Sequence, residues 1–184
     1  MTGTPRVIPN VEACIDCGGC EVACMRTWDL PEESDRMGVV THNEGEEGGR
    51  FGNGETTVPM TCFNCAEAPC KNVCPTDAIY RDEDGIVLVD QDQCIGCSYC
   101  AWACPFGAPQ FPDEGNTTGS AGMMDFCTTC EPRLAEGKDP ACVSECATDA
   151  LVFGTPAELS REFRENRTGD LFTGGLGQVV FGNE

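Results

Sequence analysis

The chain has very little of what most enzymes work with. One histidine, His42, stands among 184 residues, beside two tryptophans and two tyrosines. A single imidazole excludes a histidine-built metal centre and leaves no spare axial ligand for haem. No acid–base pair and no nucleophile constellation can be picked out, which argues against catalysis by this chain alone. Lysine is confined to Lys71 and Lys138, and with nine arginines it faces 31 acidic residues, for a formal charge of −20. That balance argues against nucleic acid or anionic lipid as partners. No run approaches the roughly 20 apolar residues that a membrane-spanning helix needs. Met1 to Ala13 has neither a basic segment leading into an apolar one nor a twin arginine, so nothing there reads as an export signal. Taken alone, the sequence reads as soluble and cytosolic, exported only if a signal-bearing partner carries it.

Cysteine, by contrast, is abundant. Sixteen cysteines fall into four groups: Cys14-Cys17-Cys20-Cys24, Cys62-Cys65-Cys70-Cys74, Cys94-Cys97-Cys100-Cys104 and Cys127-Cys130-Cys142-Cys146. The first and third groups space as C-x2-C-x2-C-x3-C, the second as C-x2-C-x4-C-x3-C and the fourth as C-x2-C-x11-C-x3-C. Three thiols in so short a stretch wrap one face of a bulky cluster more readily than they reach one small ion. The fourth is expected at the start of a helix leading away, and in two-cluster ferredoxins it ligates the neighbouring cluster. Cys74 and Cys104 are followed by Pro75 and Pro105, the ending of the bacterial ferredoxin run, where proline removes a donor and fixes the exit turn. Structural zinc uses two separated ligand pairs, and only the fourth group could pass for such a site. Nested CxxC steps make poor disulfide frameworks. The count therefore indicates four [4Fe-4S] clusters, ligated by all sixteen cysteines.

Apolar residues make up 40% of the chain and aromatics only 7%, so the ordinary core is thin and cluster ligation should supply much of the folding energy. Four oxidised cubanes with their thiolates would lower the charge from −20 to about −28. The scarcity of lysine and runs such as Glu44-Gly45-Glu46-Glu47 suggest a source at high salt, where screening makes such charge tolerable.

The expected fold is α+β: two interleaved ferredoxin-like 2[4Fe-4S] units with short strands, short helices and long loops. Residues 61–105 form the inner unit. Within it Ala78-Ile79-Tyr80 and Ile86-Val87-Leu88-Val89 flank an Asp84-Gly85 turn, a hairpin signal. If the inner groups exchange their last ligands, the first and fourth groups must exchange with each other, so residues 1–28 and 121–160 form the outer unit. The few residues after each fourth cysteine should be helical turns. Residues 29–60 are an acidic, glycine-rich insertion, with Val39-Val40-Thr41 and Thr56-Thr57-Val58 as hairpin strands and Glu44 to Gly54 as a solvated tip. Residues 106–120 should be an irregular docking loop, and the irregularity should continue to 123. Thr155-Pro156-Ala157-Glu158 starts a helix with a capping box, expected to run to about Asn166. Residues 161–184 then carry the helix end and a tail whose Val179-Val180-Phe181 packs against this chain or a partner. His42 should be an exposed spectator. Gly52-x-Gly54 and Gly174-Gly175-Leu176-Gly177 lack the strand and helix of a nucleotide site. Trp28 and Trp102, close behind cluster cysteines, should act as hydrophobic lids rather than as tunnelling relays.

In this order, and with the long gap in the last, the four groups resemble the four-cluster iron–sulfur subunits of molybdopterin oxidoreductases. The stretch from Cys94 to Gln110, with its Phe106-Gly107-Ala108-Pro109-Gln110, looks most like the dimethyl sulfoxide reductase iron–sulfur subunit. So do Arg133 to Cys142 and Ala150-Leu151-Val152-Phe153-Gly154. The resemblance covers roughly residues 11–160. It implies one cluster on Cys14, Cys17, Cys20 and Cys146, nearest a molybdopterin catalytic subunit, and a second on Cys24, Cys127, Cys130 and Cys142. It implies a third on Cys62, Cys65, Cys70 and Cys104, and a fourth on Cys74, Cys94, Cys97 and Cys100, facing a membrane anchor that oxidises quinol. The whole would serve anaerobic respiration as a peripheral, membrane-associated complex, on the extracytoplasmic side by co-export with its catalytic subunit. Two departures stand out: Cys24 precedes Met25 and Cys146 precedes Ala147, so the outer groups lack the proline ending. Related complexes would be polysulfide or tetrathionate reductases, formate dehydrogenases and hydrogenases. A freestanding polyferredoxin shuttle is the reading from another class.

Overall fold

The computed structural model describes residues 3–31, 34–43, 55–115 and 120–172; the expected hairpin tip at 44–54 and the Val179-Val180-Phe181 tail lie outside them. The described elements are short, and each strand pairs with a single partner. Strand β1 (Arg6–Pro9) pairs antiparallel with β6 (Leu151–Gly154), so Arg6 meets Gly154 and Pro9 meets Leu151. Strands β2 (Met37–His42) and β3 (Thr56–Thr61) form the insertion hairpin, and β4 (Ile79–Arg81) pairs with β5 (Val87–Val89). The β4–β5 turn closes where Asp82 Oδ1 accepts the Ile86 N–H at 2.7 Å and Gly85 takes φ +81°. A two-stranded ribbon is marginal by itself, so each must be stabilised by what packs against it.

What packs against them is largely cysteine. One buried cluster joins Val7, Leu30, Met37 and Leu151 to Cys20, Cys24 and Cys142. Another joins Ile79, Val87, Met124 and Phe126 to Cys100, with Cys62, Cys70, Cys74 and Cys94 against it. The hydrophobic core and the thiol shell are one structure.

The helices are α1 (Gly19–Trp28), α2 (Pro69–Asn72), α3 (Tyr99–Ala103), α4 (Glu131–Ala135), α5 (Ala141–Ser144) and α6 (Pro156–Phe172). Their placement corrects one expectation. Helical turns precede the fourth cysteine of each group rather than follow it, except in α1, which runs through Cys24. The reason at Cys74 and Cys104 is the following proline, which disfavours helical geometry in the residue before it. Cys104 is accordingly extended, at φ −79° and ψ 118°. With Met25 in place of proline, α1 continues to Trp28. Cys146 has no proline after it, yet the chain turns there as it does after Cys74, with Asp149 at φ 53° and Asp77 at φ 54°.

Helix α6 begins as its sequence predicts. The Thr155 N–H and hydroxyl donate to Glu158 Oε2 at 2.8 and 2.7 Å, and the Glu158 N–H points back to Thr155 Oγ1 at 3.4 Å. The helix runs to Phe172 rather than stopping near Asn166, since no glycine or proline interrupts Glu162 to Thr168. Its inward anchor is the buried Leu159. Replacing Thr155 by alanine removes the cap and is expected to lower stability by about 1 kcal/mol, read as a lower denaturant midpoint in the iron-loaded protein.

Candidate iron–sulfur centres

The first C-x-x-C step of each group uses one backbone device. The residue before its second cysteine adopts the left-handed conformation: Asp16 at φ 57°, Asn64 at φ 47°, Gly96 at φ 66° and Thr129 at φ 56°. This curls the chain around a point and turns N–H groups inward. The Asn64 N–H points to Cys62 Sγ at 3.5 Å and the Thr129 N–H to Cys127 Sγ at 3.3 Å. At position 96 the residue must be glycine, because a Cβ there would lie 2.7 Å from the Gly122 carbonyl oxygen.

Twelve of the sixteen thiols line three spaces as rings of four, the other four lie near one another as a fourth group, and no group draws all its members from one stretch of sequence. Cys14, Cys17, Cys20 and Cys146 line one space, closed by Ile15, Val39, Pro59 and Leu151. Cys62, Cys65, Cys70 and Cys104 line another, walled by Phe63, Ala68, Val87 and Phe126. Cys74, Cys94, Cys97 and Cys100 line a third, with Ile79, Phe111 and Met124. The remaining thiols, Cys24, Cys127, Cys130 and Cys142, lie close enough to oppose one another's ionisation. The three spaces are alike in size and each is lined by four thiols and apolar side chains, so they suit occupants of one kind. Among the described residues no three Cys, His, Asp or Glu side chains converge as ligands of a single ion; the thiols stand around a volume.

Burial dominates the electrostatics of these thiols. Burial pushes the Cys20 and Cys100 thiols up to about 11, and raises Cys24, Cys62 and Cys142 further, with neighbouring thiols adding to the effect. Cys70 and Cys127 are also raised, first by burial. Buried sulfurs crowded together would resist becoming thiolates in water-free surroundings. A polycationic iron core reverses that balance by ligating them as anions. Cys74 and Cys146 behave differently. Burial acts upward on both and is the largest single influence, yet hydrogen bonds together hold them low. Cys146 Sγ accepts the Ala150 N–H at 3.2 Å, and the hydroxyls of Thr76 and Thr148 lie 3.7 and 3.9 Å from Cys74 and Cys146. Donors of this kind tune cluster potentials.

The rings follow one another. Helix α1 presents Cys20 to the first ring and Cys24 to the second, and Cys142 of the second feels the charge of Cys20. Cys62 of the third ring lies against Cys127 of the second. Cys100 of the fourth feels Cys70 of the third. Each group thus neighbours the next.

Several side chains occupy places that the sequence did not signal. Trp102 is 90% exposed and covers no ring, which corrects the lid expected there. Two residues beyond the buried Cys100, it points away from the ring on the far side of α3. Trp28 is half-buried and packs against the clusters containing Cys24, Cys130 and Cys142. Asn64 is buried, accepting the Val87 N–H at 2.9 Å and donating to the Pro5 carbonyl at 3.2 Å, so it ties three segments together. Its place before a second cysteine, shared with Asp16, Gly96 and Thr129, was the available signal. His42 is exposed at the end of β2 and belongs to no ring.

Comparison with known proteins gives the class. A 4Fe-4S dicluster domain matches residues 55–156, and a second 4Fe-4S dicluster domain matches residues 13–78. The sequence is 45% identical to a formate dehydrogenase iron–sulfur subunit of Wolinella succinogenes over 83% of its own length and 82% of that protein's. It is 45% identical to a thiosulfate reductase electron transfer subunit of Salmonella typhi, over 84% of its length and 77% of the relative's. It is 38% identical to a subunit of the anaerobic dimethyl sulfoxide reductase of Escherichia coli, over 81% of its length and 72% of that subunit's. The protein belongs to the 4Fe-4S dicluster family of iron–sulfur electron-transfer subunits. Its chemistry is electron transfer, not catalysis.

Proposed function

We propose that this chain relays electrons one at a time through four [4Fe-4S] clusters, between a quinol-oxidising membrane anchor and a molybdopterin catalytic subunit. The observation that carries the reading is the succession of four thiol groups, each neighbouring the next. The sixteen cysteines are the proposed ligands, four to a ring as grouped above. Such clusters supply one-electron redox chemistry at potentials set by charge, burial and hydrogen bonds to sulfur. The protein's part is to fix their order, keep water away and supply N–H donors.

On this reading two ferredoxin-like units interleave. Residues 1–28 with 121–160 hold the first and second clusters, and residues 61–105 hold the third and fourth; residues 29–60 and 106–120 are insertions, and 161–184 carry the end of α6 and the tail. The pairing of β1 with β6 supports this, because it joins the two sequence ends of the outer unit. The proposed place is the extracytoplasmic face of a membrane, in a complex exported with its catalytic subunit. No helix among the described residues is long and apolar enough to cross a bilayer, so contact with the membrane would be through the anchor. The acid excess and the two lysines fit a high-salt setting. Relatives named for both a dehydrogenase and reductases leave the direction of flow to the partner. We favour the reductase direction on the Phe106 to Gln110 stretch.

The fourth ring is where the anchor would dock. Beside it Ile95, Tyr99 and Trp102 are 62%, 59% and 90% exposed, an apolar group suited to a partner surface. Trp102→Ala is expected to leave stability within about 0.5 kcal/mol and to weaken binding to the anchor by about 2 kcal/mol, roughly 30-fold. Purification at native salt tests the whole reading. The chain should emerge with a large molybdenum subunit and an anchor, and quinol should reduce its clusters within that complex. A stable monomer reduced equally well by unrelated donors would indicate a shuttle instead.

A further inference from the structure

A charged pair is buried beside the second ring, where a thin-cored protein has most reason to avoid one. Arg36 and Asp125 are each 4% exposed at the side chain. Arg36 Nε lies 2.9 and 2.8 Å from the two Asp125 oxygens, and its Nη2 reaches Oδ1 at 2.7 Å. The Ser34 hydroxyl donates to Asp125 Oδ2 at 3.0 Å, and the Thr61 hydroxyl donates to the Arg36 carbonyl at 2.9 Å. The guanidinium carbon stands 5.6 Å from the centre of the Trp28 ring. Trp28 in turn packs against the buried clusters that contain Cys24, Cys142 and Cys130. Arg36 is thus held from one side by a carboxylate and from the other by an aromatic face, with the second ring's cysteines beyond it.

As a stabilising device this pair has little to recommend it. Desolvating two charges costs several kcal/mol each, and apolar replacements of similar volume are often neutral or better. A role in the electrostatics of the adjoining site accounts for its place. We propose that Arg36, positioned by Asp125 and Trp28, sets the reduction potential of the cluster held by Cys24, Cys127, Cys130 and Cys142, and thereby the height of the second step in the relay. The inference rests on that ring being a cluster site.

Reducing a [4Fe-4S] core from +2 to +1 adds one negative charge to the site. A guanidinium nearby favours the added charge and raises the potential; the carboxylate opposes it and lowers the potential. Both charges stand close to this ring: Asp125 lies two residues before Cys127, and Trp28, over which the Arg36 guanidinium lies, packs against the buried residues that include Cys24, Cys130 and Cys142. In a buried setting salt screens these effects little. The pair therefore works on this cluster even where concentrated salt suppresses the field of the acidic surface. Arg36 sits in the insertion and Asp125 beyond the irregular loop, so two segments outside the cysteine groups meet to do it.

The test is a redox titration followed by electron paramagnetic resonance on the assembled complex. The second-ring signal is assigned as the one lost in Cys142→Ser. Arg36→Met should lower that midpoint, a change of at least tenfold in the one-electron equilibrium, or about 59 mV. Asp125→Asn should raise the same midpoint. The double variant, which leaves no unpaired buried charge, should fall between them, and it keeps the test open where Arg36→Met alone does not assemble. Arg36→Lys should retain most of the wild-type value. Four intact signals with unmoved midpoints, or with both single variants moving the same way, would overturn the inference. Fewer than four clusters in the wild type would instead count against the ring assignment.

Discussion

Stripping iron from the loaded protein is expected to abolish the native fold, not merely its colour. The described strands form only two-stranded ribbons, which do not persist alone in water. The buried clusters that cover them count cysteines among their members. Emptying a ring leaves its thiols facing one another and the same apolar side chains. Without iron the buried thiols lose the ligation that holds them together, and in small metal-binding domains that binding free energy is folding free energy, set against a whole stability of about 5–15 kcal/mol for an ordinary domain. With the core and the thiol shell one structure, the apo chain should unfold or collapse. Chelation under reducing conditions should erase the near-ultraviolet circular dichroism and open the β1–β6 pairing to protease. A native-like near-ultraviolet spectrum in the iron-free chain would contradict this.

Cys146→Ser is expected to damage a cluster whose other ligands lie at the opposite end of the sequence. Cys146 lines the space shared with Cys14, Cys17 and Cys20, and its thiol is among the best prepared for ligation, held low against burial by hydrogen bonds from Thr148, Leu151 and Ala150. Serine is a poorer ligand for iron and shrinks the donor. The first-ring signal should vanish or change, the iron content should fall by about one quarter, and the third and fourth rings should titrate as before. Should the variant lose only the cluster of Cys127, the proposed assignment of Cys146 would be wrong. A parallel Cys104→Ser variant should strike the third ring instead.

Local patterns in the sequence reached far into this fold. The β4–β5 hairpin and the cap of α6 could be read from residues within a few positions of one another, Asp84-Gly85 between apolar runs and Thr155 with Glu158. The β2–β3 hairpin could be read from two short β-branched runs, Val39 to Thr41 and Thr56 to Val58, on either side of an acidic, glycine-rich stretch. The cysteine spacings fixed the chemistry of the sites because ligation imposes its geometry over short stretches. Contacts between distant stretches were not legible. Arg36 lies in an acidic insertion, where an arginine ordinarily remains in water, and its partner is 89 positions away. The outward face of Trp102 was not legible either, because nearness in sequence to Cys100 and Cys104 is not nearness in space. On a helix, two positions carry a side chain most of the way to the opposite side. The end of α6 was not legible because the helix continues through Gly169, a residue that often closes helices, and helix length depends on what the helix packs against as well as on its own residues.

The pairing of β1 with β6 sets a timetable for the ribosome. Arg6 to Pro9 is made at the outset, but its partners Leu151 to Gly154 emerge only after nearly the whole described chain. At roughly 5–20 residues per second, that is a wait of about 7–30 s. The thiols from Cys62 to Cys104, which fill the third and fourth rings between them, can meet long before translation ends. Cys14, Cys17 and Cys20 cannot meet Cys146 until more than a hundred further residues have been made. Maturation should therefore run from the middle of the chain outward, and the earliest cysteines to be made would be among the last to receive iron. They spend the interval uncovered, so air or scarce iron during synthesis should injure this end of the relay first.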